Sequence, residues 1–459
     1  MLKQKRAFGI KDLFGYLMGD FGCNMSFNLI STYLFIFTTQ YIGIKLSHYA
    51  ILIFGCQLAD ALNAPFIGQI VNHSKVNKHG DKFKPWCLYG GVLLAFLPIL
   101  IFVNYQDLPY IARIIWFVIF YLLWIIVFSV VNVPYGAMAT VITDKPNERS
   151  SLSIWRSWGQ YIATTLISIF LPLFVYKKMI NSKQNVSVFI GNRMIIVAII
   201  LGVIALISFI LLFLNVTERF SSNQERAKVS YRALFRLFIQ NRAMVVITLI
   251  SMVQIIFINS AGTLGQLTFQ VYFKDGRLNS FYAIVTLTPL IVGTIVGNQL
   301  LEKYTRYQIV TYLLPVSAII SFMMVILPIK QPFIWLGLQT IANSFAFGLF
   351  IYTWAFVAES IDYQEKIKGK KNEALLYSMY TMFRKMSNGL GQALIPLTLS
   401  IALPTFEIAV PTTWGDYDGL ILKCLTAAFP VIGFMLIFIL FKFYYPLNKE
   451  FSFERREKL

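Results

Sequence analysis

The sequence predicts an all-α membrane protein, with twelve transmembrane helices in two six-helix halves and both termini cytoplasmic. Three observations carry that expectation. First, the 459 residues are 57% apolar and only 13% charged, with a mean hydropathy of +0.65, where soluble domains carry about a quarter charged residues. Second, apolar runs long enough to cross about 30 Å of hydrocarbon, roughly 20 residues each, recur along the whole chain. Third, the longest polar connection, 217–242, falls between the sixth and seventh of these runs and divides them six and six.

The elements follow in order. The start MLKQKRAFGIKDLF has basic residues ahead of an apolar run, as a signal peptide would. That run is too long for a signal peptide and lacks a small-residue cleavage site, so 12–39 reads as the first spanning helix, with Asp20 inside it. The second run, 46–72, holds Asp60. Runs three and four are 85–105 and 111–141; the fifth, 153–176, contains Arg156; the sixth is 194–215. The second half supplies 243–272, 279–300, 307–328, 332–358, 376–404 with Arg384 and Lys385, and 418–445. The domains are therefore 1–216, a cytoplasmic linker 217–242, and 243–459 with a short basic tail. Within the linker, 231–242 reads either as an amphipathic helix on the inner surface or as a solvated loop.

Charge sets the orientation. The net charge is +19, and of the 40 Lys and Arg residues 27 fall on one side if both ends are inside, 10 fall on the other, and three lie within helices. That bias follows the positive-inside rule. The basic residues form no single stripe interleaved with exposed aromatics, so a nucleic-acid partner is not expected; the expected surroundings are the lipid bilayer of the cell membrane.

Several chemistries are absent from the pattern. Cys23, Cys56, Cys87 and Cys424 lack metal-ligand spacing and read as apolar packing. His48, His73 and His79 lie near helix ends, away from any nucleophile, and no phosphate-cradling glycine loop followed by Lys-Ser or Lys-Thr occurs. The chain is not expected to be an enzyme, to hydrolyse ATP or to carry a cofactor.

What remains is a small set of charges at membrane depth. Each costs at least ~2.5 kcal/mol on insertion scales, so such residues face a bundle interior or a wet cavity and are functional candidates. Residues three or four apart share a helix face, which pairs Asp20 with Asn24, Asp60 with Asn63, Ser129 with Asn132, and Thr381 with Lys385. A carboxylate beside amide and hydroxyl oxygens suits a hard monovalent cation or a proton. Asn and Asp amid Arg and Lys suit the hydroxyls of a sugar, which donate and accept hydrogen bonds. Aromatics at Tyr16, Trp124, Tyr135, Trp155, Trp158, Trp354 and Tyr380 are candidates for packing on an apolar sugar face, or for core and lipid contact. Arg384, adjacent to Lys385, points elsewhere and reads as structural. Pro65, Pro134 and Pro396 are candidate bending points or ordinary kinks.

Two six-helix halves around a basic loop is the layout of the major facilitator architecture. The motifs GYLMGDFGCN, DALNAPFIGQIVN with GDKFKPW, VNVPYGAMATVIT with NERSSLSIWR, and AESIDYQE with NEALLYSMYTMFRK occur in that order. In combination they resemble the glycoside-pentoside-hexuronide:cation symporters, the group that includes melibiose permease. The resemblance implies that Asp20 and Arg156 bind sugar hydroxyls and that Asp60, Asn63 and Ser129 hold the cation, H+ or Na+. It also implies that Lys385, twelve residues after Glu373, lies near both sites. Three departures stand out. Ala64 replaces the second acid of the family's Asp-x-x-Asn-Asp motif, Asn132 replaces a helix IV acid, and Gly136 replaces an aromatic that stacks on the sugar.

The expected function is a cation-coupled symporter that imports a glycoside, oligosaccharide, pentoside or hexuronide by alternating access and works as a monomer. Substrate binding falls to Asp20, Asn24, Asn132, Arg156, Thr381 and Lys385; coupling falls to Asp60, Asn63 and Ser129, which are also the Na+ ligands if sodium is the ion. With Ala64 leaving one acid, protons are favoured slightly over sodium. The alternatives are a carrier of the same fold for an amphiphile such as a lysolipid, and a non-transporting sensor.

Overall fold

A computed structural model describes residues 6–73, 81–181, 184–220, 231–368, 373–403 and 415–447. The basic stretch 75–80, the middle of the predicted linker (221–230) and the tail from 448 lie outside the described residues.

The described chain is almost wholly helical. The first half runs α1 (Ile10–Ile36), α2 (Leu46–His73), α3 (Lys84–Ile101), α4 (Tyr110–Ile142), α5 (Pro146–Val175) and α6 (Asn192–Asn215). After α7 (Tyr231–Gln240) the second half runs α8 (Arg242–Val253), α9 (Ser260–Val271), α10 (Tyr282–Ile295), α11 (Gly297–Lys303), α12 (Arg306–Ile326), α13 (Pro332–Phe345), α14 (Phe347–Lys368), α15 (Glu373–Ala402) and α16 (Asp416–Ile439). A π turn, Gln254–Asn259, joins α8 to α9. Among the described residues, nine helical stretches are long and apolar enough to cross a membrane. Besides the short α7 and α11, the helices outside that set are α1, α2 and α15, which have 27, 28 and 30 residues and carry the polar groups that sequence analysis singled out.

Local chemistry explains several boundaries. Helix α5 starts seven residues ahead of its apolar run because Pro146 and Glu148 suit a first turn: proline needs no donor there, and a carboxylate complements the dipole. Thr305 and Gln308 cap α12 reciprocally, and the Asn241 side chain accepts from the Met244 amide to start α8. Pro134 and Pro396 lie inside α4 and α15. One feature departs from the all-helical expectation: β1 (Tyr176–Asn181) and β2 (Gln184–Phe189) pair as a two-stranded hairpin between α5 and α6.

The chain forms two compact units, one built from α1–α6 and one from α7–α16 together with Lys178–Val188. In the first, α1 packs along both α5 and α6, α3 packs on α4 and α6, and α2 packs on α4. In the second, α16 packs on α9 and α12, and α10 packs on α13 and α14. Their outer surfaces are apolar. On α4, Ile111, Ile115, Ile119, Leu123 and Ile126 form an exposed ridge at helical spacing. Polar groups such as Asp20 and Ser129 are buried. An apolar outside with polar groups inside is the arrangement that a hydrocarbon solvent selects.

Candidate functional site

The first constellation is built on α1. Tyr16, Asp20 and Asn24 recur every four residues, so they share one face. Asp20 is 4% exposed. Its Oδ2 accepts from Asn24 Nδ2 at 2.9 Å, and its Oδ1 accepts from Arg156 Nε of α5 at 3.0 Å. The Arg156 side chain is 38% exposed, so the pair presents a half-open guanidinium over a sheltered carboxylate.

Two aromatic rings hold that guanidinium in place. It lies 5.1 Å from the centroid of the Tyr135 ring, a cation–π distance. Tyr135 stacks on Tyr16 at 4.6 Å, and its hydroxyl donates to the Tyr16 carbonyl at 2.6 Å. Both rings are buried, at 0% and 2% exposure, so they orient Arg156 and do not line a sugar surface. Trp124 is likewise buried and donates to Ser26 Oγ at 2.8 Å.

Glycine brings the helices close enough. A Cβ on Gly159, one turn after Arg156, would lie 2.4 Å from the Leu17 carbonyl oxygen, and one on Gly19 would lie 2.5 Å from the Tyr135 ring. Without these bare positions α5 and the Tyr135 ring could not approach α1. By contrast, a Cβ on Gly136 would meet only Arg156 Nη1, at 4.0 Å. The space beside the guanidinium is therefore open at Gly136. Asn132, half-buried, lies one turn before Gly136 on the same face of α4.

A second constellation joins α2 to α4. Ser129 Oγ, 1% exposed, donates to Asp60 Oδ1 at 3.1 Å. Gln57, one turn before Asp60, donates to the Tyr121 hydroxyl at 2.7 Å. Asn63 Nδ2 is buried without a hydrogen-bond partner. Which end of an amide is nitrogen is set by its surroundings, and a donor left without an acceptor marks an amide whose oxygen can turn inward. The Asp60 carboxylate and the Ser129 hydroxyl are brought together, with the Asn63 amide three residues further along α2; oxygen groups of this kind suit a monovalent cation, or a proton on Asp60. Among the described residues there is no cluster of three His, Cys, Asp or Glu, so a multi-carboxylate metal centre is not built here.

In the second unit, Thr381 and Lys385 lie one turn apart on α15, both half-buried. Arg384 Nη1 donates to the Tyr380 hydroxyl at 3.2 Å, and its guanidinium lies 4.9 Å from the Trp354 centroid. Tyr380 in turn bonds Ser251 Oγ at 2.9 Å. Arg384 thus ties α15 to α8 and α14.

Sequence reasoning missed a polar network at one end of the first unit. Asp12, 0% exposed, takes Arg219 Nη2 and Arg6 Nη2 on Oδ2, both at 2.9 Å. The Arg219 amide donates to the Val141 carbonyl at 2.7 Å, which links the ends of α1 and α4 to the segment after α6. Beside it, Glu218 accepts from the backbone amides of Lys82, Phe83 and Lys84 at 2.7–2.8 Å and so caps α3. Burial pushes the Glu218 carboxyl above its ordinary range, against the opposing pull of those amides. Asp12 and Glu218 sit beside charged loop residues in the sequence, where nothing sets them apart from solvated charges.

Comparison with known proteins adds the family context. A family described as MFS/sugar transport protein matches residues 15–449. The chain is 27% identical over 465 residues to the uncharacterized symporter YjmB of Bacillus subtilis (strain 168), covering 98% of this chain and 95% of that one. It is 25% identical over 393 residues to the isoprimeverose transporter of Lactiplantibacillus pentosus, covering 84% and 79%. In fold it is similar to a bacterial homolog of the human lysosomal transporter Spinster, with a TM-score of 0.64 at 12% identity over 95% of this chain and 98% of that one.

Proposed function

This chain belongs to the MFS/sugar transport protein family, and from that premise we propose that it is a cation-coupled symporter importing a glycoside or short oligosaccharide across the cell membrane. It is a multi-pass membrane carrier and not an enzyme. In this reading twelve spans cross the bilayer, with both termini cytoplasmic.

The observation that carries the proposal is the Asp20–Arg156–Asn24 constellation beside the open space at Gly136. A carboxylate accepts up to about four hydrogen bonds and a guanidinium donates five. Neighbouring sugar hydroxyls can therefore donate to Asp20 and accept from the half-exposed Arg156 together. Asn132 supplies an amide that does either.

Coupling is assigned to Asp60. An ionised carboxylate at membrane depth is costly, and a cation or proton there removes the charge. If that neutralisation favours the arrangement that binds sugar, sugar must favour the ion by the same factor. The loaded carrier then rocks between its two access states. A single carboxylate makes the proton the first candidate. Relatives named as a symporter and as an isoprimeverose transporter support both the coupling and the substrate class.

The test is an uptake screen of labelled glycosides in proteoliposomes, with sodium and proton gradients imposed separately. Accumulation of at least one glycoside under one gradient is expected. Uptake of an amphiphile with no glycoside transported under either gradient would replace the reading.

A further inference from the structure

Outside the polar constellations, the first unit has a groove of about 480 Å³ between α5 and α6. It exists because both helices pack along α1 and scarcely touch one another. Met25 of α1 forms its floor; Leu166, Phe170 and Phe174 of α5 form one wall, and Val197, Ile200 and Ile204 of α6 the other. Every residue lining it is apolar, and Phe170 and Ile200 are exposed at 59% and 51%. In a bilayer the material facing that groove is an acyl chain.

The end of the groove is not apolar. Arg193, in the first turn of α6, donates Nη1 to the Phe174 carbonyl at 2.6 Å and lays its guanidinium 5.4 Å from the Phe174 ring centroid. A guanidinium has five donors, so this bond fixes its position and leaves others to face a headgroup. Among the described residues Arg193 has no carboxylate partner, whereas Asp12 and Asp20 each have an arginine. Three residues beyond Phe174, Lys177 is exposed and adds a second positive charge. An acyl-shaped groove that ends at a positioned guanidinium complements one ligand chemistry, a lipid with a negative headgroup.

We propose that the α5–α6 groove binds an anionic phospholipid, with an acyl chain over Met25 and the phosphate on Arg193. In the orientation proposed above the lipid comes from the non-cytoplasmic leaflet. Met25 follows Asn24, the residue that holds Asp20, so the chain rests against the back of the helix that carries the sugar constellation.

The experiment measures lipid retention by the purified full-length protein with native mass spectrometry, using phosphatidylglycerol and phosphatidylcholine of matched acyl chains. Wild type is expected to retain phosphatidylglycerol about fivefold over phosphatidylcholine, the scale set by one basic residue at an anionic headgroup. Arg193→Gln should abolish that preference while still retaining both lipids. Ile200→Trp, which fills the groove from its exposed wall, should reduce retention of both. Size-exclusion profiles and circular dichroism establish that each variant is folded. Equal retention of the two lipids by wild type, a preference that survives Arg193→Gln, or retention unchanged by Ile200→Trp would each overturn the proposal. A dimer that Ile200→Trp dissociates would assign the groove to a second copy of the chain and overturn it as well. None of these readouts depends on sugar transport, so this inference and the transport reading can fail separately.

Discussion

Asp20 and Asp60 are both carboxylates in apolar helical runs, yet their surroundings differ. Asp20 has a guanidinium and an amide for partners, and its charge is matched. Asp60 accepts from the Ser129 hydroxyl of α4, and in the proposed cycle it is the carboxylate that takes up the ion. Asp20→Ala is therefore expected to eliminate glycoside binding while leaving the protein monodisperse, because Arg156 is exposed enough to be hydrated; calorimetric titration with the transported sugar checks this. Asp60→Asn is expected to abolish uphill accumulation and retain exchange of internal for external sugar, which a counterflow assay reads. Both acids were legible in the sequence because a charge in an apolar run is expensive. The roles of Tyr16 and Tyr135 were not: among 16% aromatic residues, nothing in composition separates a ring that stacks on sugar from one that positions an arginine. Ring–ring and ring–guanidinium distances make that distinction.

At the scale of elements, the site depends on how closely α5 and α4 reach α1. The hydropathy pattern locates these helices to within a few residues, with the largest shift at the start of α5, where Pro146 and Glu148 extend the helix beyond its apolar run. It carries no information on spacing between helices, which bare glycines set through contacts visible only in three dimensions. Gly159→Ala would force its methyl against the Leu17 carbonyl oxygen. Overpacking of this kind costs about 1–3 kcal/mol, and the displacement moves Arg156 away from Asp20. The expected result is a raised KM for sugar together with a lower melting temperature, measured by transport and by thermal unfolding. The β1–β2 hairpin escaped the sequence because its strands are only six residues each and half of their residues are polar, too short a pattern to stand out between two long apolar runs. Helix ends carry a second test. Burial holds the Glu218 carboxyl above its ordinary 4.5. Its contribution to stability is therefore complete below that value and is lost as pH rises through the raised folded value. Glu218→Gln should make the protein less stable overall, because an acceptor for the α3 amides is lost, but its melting temperature should change less with pH above about 4.5. An unchanged pH slope would show that Glu218 is not the titrating group.

For the molecule as a whole, the division of the chain into two helical units and the apolar outer surface follow from composition and from the placement of long apolar runs. The identity of the cargo does not, because it rests on a few polar groups whose neighbours come from distant parts of the sequence, such as Asp20 and Arg156. The proposed function comes down to sugar and cation sharing a carrier cycle in which Asp60 holds the ion. The measurement that tests it most directly is cation entry evoked by adding the transported glycoside to proteoliposomes with no gradient imposed, followed with a pH-sensitive dye and with radiolabelled sodium. Sugar is expected to evoke entry of one of the two ions in the wild type and of neither in Asp60→Asn. Sugar transport by the wild type without movement of either ion would contradict it.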